Sequence, residues 1–239
     1  MKYILSLILC SCLLNASYVN LDSDLDEQEM LILGKKLYNN TCISCHGKDG
    51  ETNSQMQLIV KPRKLQSTLL SIEQSFKIIK YGAHYFGAHA DIMPAFRYVY
   101  DDEQIASLSF YISKTFNPNK DKKIAKLLKT SKVLSKEEDN QALKVGKRLF
   151  LKKCALCHGK TGNGKSDYVK QSKKEENFIF PYNLTRTLLS EDQIFLYAKF
   201  GGHYWGTDKK DMPSWKNKFD DIKLKSVARY IKQDIVKLK

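Results

Sequence analysis

The segment Cys42-Ile43-Ser44-Cys45-His46 occurs a second time, 112 residues later, as Cys154-Ala155-Leu156-Cys157-His158. In each copy the cysteines are three positions apart, so a helix places both thiols on one turn, and a histidine follows at once. This spacing is typical of covalent haem attachment, in which the thiols form thioethers with the porphyrin and the imidazole binds the iron. The repeat therefore predicts two covalently bound haem c groups. The expected attachment residues are Cys42, Cys45, Cys154 and Cys157, and the expected first iron ligands are His46 and His158.

Two other kinds of site use the same residue types, a structural zinc ion and a redox-active dithiol. Structural zinc takes four protein donors, so a Cys, Cys, His triple leaves one position that another domain would have to fill. A thioredoxin-type dithiol belongs to a βαβ pattern, which we do not find in this sequence. The duplication disfavours both alternatives further, because a second matching segment follows each copy.

That second segment supplies candidates for the sixth iron ligand. The first copy has Gly82-Ala83-His84-Tyr85-Phe86-Gly87 followed by Met93-Pro94, and the second has Gly201-Gly202-His203-Tyr204-Trp205-Gly206 followed by Met212-Pro213. Proline restricts the backbone after each methionine, which suits a loop that must hold a weak thioether ligand against the iron. We therefore expect Met93 and Met212 to be the sixth ligands.

The same loops leave an alternative open, because His84 and His203 also recur, at an offset of 119 residues. Their glycine-rich, aromatic surroundings are more typical of a histidine that donates a hydrogen bond to a haem propionate or to the backbone. His89 has no counterpart, since Asp208 occupies the equivalent position. The increase in offset from 112 to 119 means that the second copy has seven extra residues, which we place around residues 165–177.

Nearly all of the remaining sequence has the pattern of helix or loop, and we predict no strand. A helix is expected over residues 24–38, and its counterpart begins at Ser135, whose side chain can cap it in a capping box with Glu138. The two helices contain Gly34 and Gly146, which cost about 1 kcal/mol of helix propensity each. We expect each of these first helices to cross the last helix of its own copy at the glycine.

The domain organisation follows from these repeats. Residues 1–17 contain Lys2, then an apolar run, and end in Asn15-Ala16-Ser17, a pattern that predicts a cleavable signal peptide and export to the periplasm. A lipid anchor at Cys12 is the alternative. We place the first c-type haem domain at residues 18–118, a basic linker at 119–134 and the second c-type haem domain at 135–239. The apolar positions of the linker indicate a connector packed against both domains, with peripheral attachment to anionic lipid as the alternative.

The net charge of +14 is unevenly distributed. Residues 18–118 have a net charge of −2, residues 119–135 of +5 and residues 136–239 of +10. Export and haem attachment argue against nucleic acid as the partner of this basic chain. We expect a redox protein that is acidic on its contacting face, and we expect the haem of the second domain to have the higher reduction potential, because nearby positive charge destabilises ferric iron.

With these residues in place, the chain resembles the dihaem class I cytochromes c over residues 24–239. The resemblance rests on Cys42, Cys45, His46 and Met93 in one copy and on Cys154, Cys157, His158 and Met212 in the other. It implies an all-α chain of two tandem class I cytochrome c domains, each a small helical fold around one covalently attached haem.

The resemblance also implies a function. The dihaem class I cytochromes c carry electrons in the periplasm, commonly from a quinol-oxidising complex or dehydrogenase to a terminal oxidase or peroxidase. On that basis we expect an electron carrier without enzymatic activity, with redox proteins as partners and no small-molecule substrate. Two alternatives stay open: a haem-bearing electron-transfer subunit of a larger dehydrogenase, and a dihaem redox enzyme such as a peroxidase.

Overall fold

The computed structural model describes residues 24–52, 61–88, 93–173, 178, 180–207 and 212–238. Within these ranges the chain is helical and contains no strand, as the sequence predicts. None of the helices in this part of the chain combines the length and the apolar character needed to cross a membrane. The expected signal peptide lies outside the described residues.

Among the described residues the two halves share one order of helices, to which the second half adds α8 and a final π-helical turn, and one more helix joins them. The first half contains α1 (Glu27–Leu37), a π-helical turn (Tyr38–Cys42), α2 (Ile43–His46), a 3₁₀ turn (Leu65–Ser67), α3 (Ile72–Tyr81), a 3₁₀ turn (Ala83–Phe86) and α4 (Asp102–Phe116). The connecting helix is α5 (Lys120–Lys129). The second half contains α6 (Lys136–Leu149), a π-helical turn (Phe150–Cys154), α7 (Ala155–His158), α8 (Asp167–Ser172), a 3₁₀ turn (Leu184–Arg186), α9 (Glu191–Phe200), a 3₁₀ turn (His203–Trp205), α10 (Asp221–Tyr230) and a π-helical turn (Ile231–Ile235).

A capping box begins the first helix of each half. The Ser135 side chain accepts from the backbone N–H of Glu138, whose own side chain accepts from the Ser135 N–H, as predicted. Asp26 and Glu29 form the same arrangement at the start of α1. Each box satisfies two backbone donors that a helix leaves without partners at its first turn. Helix α1 therefore begins at Glu27, three residues after the start of the periodic segment.

Two glycines allow the first and last helices of each half to cross at close range. A Cβ added at Gly34 would overlap the Ser107 carbonyl oxygen on α4 and lie 2.5 Å from Cβ of Tyr111. A Cβ added at Gly146 would overlap the equivalent carbonyl, that of Ser226 on α10. The predicted crossing at these glycines is confirmed, and it explains why both helices tolerate a residue with poor helix propensity.

The connecting helix α5 is attached to both halves. Its side chains Ile124, Leu127 and Leu128 pack against the core of the second half. At its start, Lys120 is buried, and its Nζ donates to the Leu70 carbonyl of the first half at 2.7 Å. The apolar face of α5 is therefore covered by protein, as the connector interpretation predicts.

A reciprocal pair of glutamines joins the two halves. Nε2 of Gln74 donates to Oε1 of Gln193 (2.8 Å) and to the Leu188 carbonyl (2.8 Å). Nε2 of Gln193 donates to Oε1 of Gln74 (2.9 Å) and to the Leu69 carbonyl (2.7 Å). Both glutamines and both leucines are 119 positions apart, so each bond in one direction is matched by its equivalent in the other. Such self-complementary contacts are the mark of approximate two-fold symmetry.

The loops that follow α3 and α9 make a second symmetric contact between the halves. The backbone N–H of Asn183 donates to the Gly87 carbonyl at 2.9 Å, and that of Lys64 donates to the Gly206 carbonyl at 3.1 Å. Both glycines have a positive φ, 95° and 88°, and a Cβ at Gly87 would overlap the Asn183 carbonyl oxygen. Glycine is needed here for both reasons, because other residues rarely adopt this φ and none could fit the space.

Candidate functional site

Each C-x-x-C-H motif lies at the end of one continuous helical segment. The chain passes from α1 through the π-helical turn Tyr38–Cys42 into α2, which ends with His46 before Gly47 at φ 76°. The second half repeats this arrangement, and α7 ends with His158 before Gly159 at φ 77°. A π-helical turn holds an extra residue, so it rotates the residues after it around the helix axis. The first cysteine of each motif thereby packs against its half's core.

The two motif histidines are partly buried and neutral, as an iron ligand requires. Burial lowers the pKa of both His46 and His158, so both imidazoles stay neutral at neutral pH. Nδ1 of His158 lies 3.1 Å from the Tyr182 carbonyl, which orients the ring and leaves Nε2 as the nitrogen available to a metal. At His46 the equivalent backbone group of Arg63 only partly offsets the lowering of the pKa by burial, and Nδ1 is buried without a partner at hydrogen-bonding geometry among the described residues.

The four motif cysteines form no disulfide bond. Burial raises the pKa of Cys42 to about 12 and that of Cys154 to about 12, so both are protonated at neutral pH. Zinc binding and disulfide exchange both use the thiolate. Cysteines whose pKa is low enough to form it lie in electropositive, exposed surroundings, whereas Cys42 and Cys154 pack against an apolar core. Across the described ranges no group of three or more His, Cys, Asp or Glu side chains is arranged to hold a metal ion.

The two candidate methionines reach the same cores as the motif cysteines. Met93 and Cys42 both pack against the core of the first half, and Met212 and Cys154 both pack against that of the second. The backbone holds the methionines in place, because the Met93 carbonyl accepts from Ala83 N–H at 3.1 Å and the Met212 carbonyl accepts from the equivalent N–H at 2.8 Å. Each methionine thus packs against the same core cluster as the first motif cysteine of its own half.

A stacked aromatic pair follows each Met-Pro segment. Phe96 and Tyr100 stack with ring centroids 6.1 Å apart, and the equivalent residues Trp215 and Phe219 stack at 5.5 Å. All four pack against the core of their own half beside the methionine. Flat aromatic walls of this kind suit a flat apolar macrocycle.

The alternative sixth ligands have a different environment. His84 and His203 are both exposed, and Nδ1 of each lies 3.1 Å from a carbonyl of its own loop, that of Ala88 or Thr207. Both histidines therefore take part in the turn that precedes the methionine. His89 and Asp208 lie outside the described residues.

The surfaces around the two motifs differ. In the second half Leu156 lies between the motif cysteines and is 65% exposed, and Leu151 nearby is 43% exposed. Exposed lysines flank them at Lys152, Lys153 and Lys160. The first half has neutral polar residues at most of the equivalent positions, namely Asn39, Asn40, Thr41 and Ser44. The second motif thus presents an apolar and basic surface that the first motif lacks.

The residues whose backbone carbonyls face Nδ1 of the motif histidines were not predicted from the sequence. These are Arg63 and Tyr182, which are equivalent residues of the segments Pro62-Arg63-Lys64-Leu65 and Pro181-Tyr182-Asn183-Leu184. The repeated Pro-x-x-Leu at the 119-residue offset was the one signal for them. It was weak because a backbone carbonyl makes the contact, and any residue provides one.

The residues of each half fit a covalently attached haem. Two thiols lie within one turn of a partly buried neutral imidazole, a methionine strap and an aromatic pair face the same core, and a backbone carbonyl orients the His158 ring. The thiols, the imidazole, the methionine and the aromatic pair recur in the first half at equivalent positions.

The chain is similar to proteins of known family and structure. The family model described as cytochrome c oxidase, cbb3-type, subunit III matches residues 31–112 and 141–231. Among solved structures, a chain of the Kuenenia stuttgartiensis reducing HAO-like protein complex is 20% identical, with a TM-score of 0.44 over 86% of this chain and 96% of that chain. Cytochrome cL of Methylophaga aminisulfidivorans is 16% identical, with a TM-score of 0.28 over 47% of this chain and 67% of that chain. No curated protein matches the chain significantly.

Proposed function

The chain belongs to the family described as cytochrome c oxidase, cbb3-type, subunit III, and from that premise we propose that it is a periplasmic dihaem electron carrier. Membership makes it a cytochrome c electron-transfer protein of helical class I domains that binds haem c covalently. Each half holds one haem. The chain carries electrons from a quinol-oxidising complex or dehydrogenase to a terminal oxidase or peroxidase.

One observation carries the proposal: both halves place a C-x-x-C-H motif and a Met-Pro strap against the same core. Cys42, Cys45, Cys154 and Cys157 attach the two haems. His46 and Met93 would coordinate the iron in the first half, and His158 and Met212 the iron in the second. When bound, haem c supplies reversible one-electron chemistry at its iron.

The protein residues around each site keep the iron closed to other ligands. The motif histidine is neutral, as a metal ligand must be. The backbone hydrogen bonds to the Met93 and Met212 carbonyls restrict the movement of both methionines. A site closed on both sides leaves no position for a substrate, so the chain transfers electrons rather than transforming a small molecule. The exposed His84 and His203, already bound to their own loops, support methionine as the sixth ligand.

Haem content and the visible spectrum test this assignment. The full chain, exported with a haem-attachment system, is expected to hold two haems and to show a weak band near the red end when oxidised, which is lost on reduction. Cys154→Ser/Cys157→Ser is expected to hold one haem, and so is the matched variant Cys42→Ser/Cys45→Ser. A colourless wild-type protein, or one that takes up cyanide readily at either iron, contradicts the proposal.

The chain's contacts with other proteins centre on the second motif. The exposed Leu151 and Leu156, with the lysines around them, form a surface that suits a redox protein that is acidic around an apolar centre. Charge complementarity of this kind raises association rates by about 10 to 1,000 fold. The first motif has neutral polar residues in place of Leu151, Lys152, Lys153 and Leu156, so we assign docking of the acidic partner to the second half.

Small charged reductants test this surface without the natural partner. We expect Lys152→Glu/Lys153→Glu to slow reduction of the oxidised protein by anionic Fe(EDTA)²⁻ about tenfold, and to leave reduction by cationic hexaammineruthenium(II) at least as fast. Lys122→Glu/Lys126→Glu on exposed positions of α5 makes the same change in net charge elsewhere. An equal effect of both double variants would mean that the net charge acts, and not the surface at the second motif.

The location is part of the same proposal. Residues 1–17 direct export to the periplasm and are removed, with a lipid anchor at Cys12 as the competing outcome. The mass of the mature chain separates the two, because cleavage near residue 17 leaves neither Cys12 nor a lipid. Stable co-purification with a catalytic chain would favour the dehydrogenase-subunit alternative over a free carrier.

A further inference from the structure

Arg63 belongs to the first half by its backbone and contacts the second half with its side chain. Its Nη1 donates to the Tyr197 hydroxyl at 2.6 Å. Its guanidinium carbon lies 4.7 Å from the centre of the Tyr182 ring and 5.6 Å from that of the Tyr197 ring. A cation over two tyrosine rings is attracted by their electron-rich faces, and the hydroxyl bond orients it.

The residue beneath this guanidinium is the one that orients the second motif histidine. The Tyr182 carbonyl lies 3.1 Å from Nδ1 of His158. The first half therefore places a permanent positive charge against the residue that holds the second candidate iron ligand. Arg63 and Tyr182 are equivalent residues of the two halves. The second half is therefore contacted by a cation, whereas the equivalent residue that the second half offers to the first is an uncharged tyrosine.

A comparable contact in the other direction is weaker. Arg186 lies 4.5 Å from the centre of the Tyr85 ring, but Tyr85 is 44% exposed and is not one of the residues that face a motif histidine. Arg63 is partly buried between the halves, where a charge acts over a longer range than at an exposed site. The arrangement is therefore asymmetric although the fold is symmetric.

We propose that Arg63 sets the reduction potential of the second site from the other half of the chain. Ferric haem carries one more positive charge than ferrous haem, so a nearby guanidinium disfavours the ferric form and raises the potential. This inference rests on the proposed function, in that both sites must hold haem. Arg63 acts by charge across the junction of the halves.

Potentiometric titration of the full haem-loaded chain tests the proposal. A Met93→His background changes the sixth ligand of the first site alone, so the two haems can be followed separately. At the potential where the second haem is half oxidised in the parent, we expect Arg63→Gln to raise its ferric-to-ferrous ratio about threefold to tenfold. Arg63→Lys keeps the charge and is expected to leave the ratio close to that of the parent.

Arg97→Gln is the matched control. Arg97 also donates to a tyrosine hydroxyl, that of Tyr98, and lies over two tyrosine rings, but these partners are all in the first half. It is expected to leave the second haem unchanged. Tyr197→Phe removes only the hydroxyl that holds the guanidinium, and it is expected to shift the second haem in the same direction by less. This variant tests the inference even where Arg63→Gln does not fold.

An unchanged second haem in Arg63→Gln, or in Tyr197→Phe if the first variant does not fold, overturns the inference. So does an equal shift in Arg63→Lys and Arg63→Gln, because contact geometry and not charge would then set the potential. The haem content of the parent reports separately on the proposed function: fewer than two haems per chain would refute that function before Arg63 is considered.

Discussion

The reciprocal bonds between Gln74 and Gln193 predict a measurable coupling between the two halves. Gln74→Ala removes three hydrogen bonds across the junction, two to Gln193 and one to Leu188, and one bond to the Ser71 N–H in its own helix cap. At about 1 kcal/mol for each bond, the free energy of unfolding is expected to fall by about 4 kcal/mol. Gln193→Ala makes the equivalent change and is expected to cost about the same.

The double variant is expected to cost less than the two single variants added together. It removes the two shared bonds once, so its cost is about 6 kcal/mol and the coupling free energy is about 2 kcal/mol. Urea unfolding of the haem-loaded chain, followed by far-UV circular dichroism, measures these quantities. Gln104→Ala is the control, because Gln104 accepts the same cap bond from Asp101 at 3.1 Å without reaching the other half. Additive costs in the double variant would refute the paired arrangement.

Three further predictions concern the helix crossing, the sixth ligands and the potentials. Gly146→Ala is expected to lower the free energy of unfolding by about 1–3 kcal/mol, since its Cβ would overlap the Ser226 carbonyl and lie 2.9 Å from Cβ of Tyr230. Lys144→Ala, at an exposed position of α6, is the control in the same urea assay. Equal stability of the two variants would contradict the close crossing. Met212→Ala is expected to remove half of the red-end band and to let cyanide bind one iron, whereas Met30→Ala, which shortens a core methionine, is expected to leave the spectrum unchanged. The second haem is expected to have the higher potential because its half carries most of the positive charge, and a redox titration of the wild-type chain, with each haem assigned from the one-haem variants Cys42→Ser/Cys45→Ser and Cys154→Ser/Cys157→Ser, that gives the opposite order would refute this.

The helical architecture could be predicted from the sequence because its signals are local. The Ser135 capping box and the absence of strands in the described residues follow from short patterns and are confirmed. The crossing at Gly34 and Gly146 could be predicted as well, because a glycine inside a helix has a cost that close packing explains. The π-helical turns before Cys42 and Cys154 were not predicted, since their sequences have no distinguishing residue.

The candidate site was only partly accessible from the sequence. The motif cysteines, the motif histidines and the Met-Pro segments were evident from the repeat, and they remain the proposed attachment residues and ligands. Their supports were not evident, because the Tyr182 carbonyl and the N–H groups that hold the methionine loops belong to the backbone. The backbone is the same at every residue, so the sequence holds no direct trace of which carbonyl or N–H is used.

The sequence by itself determined the chemistry proposed for this protein. Covalent haem attachment needs two thiols three positions apart and a histidine directly after them, and a single helical turn is enough to bring these groups together. Only the tertiary structure decided how the two halves meet. Gln74 and Gln193 bind each other across 119 positions, and Arg63 reaches Tyr197 across 134. Within its own helix each glutamine has the pattern of a cap, and Arg63 has that of a surface charge. Their partners are set by the approach of two folded units, which depends on the shape of whole surfaces and leaves no short pattern in the chain.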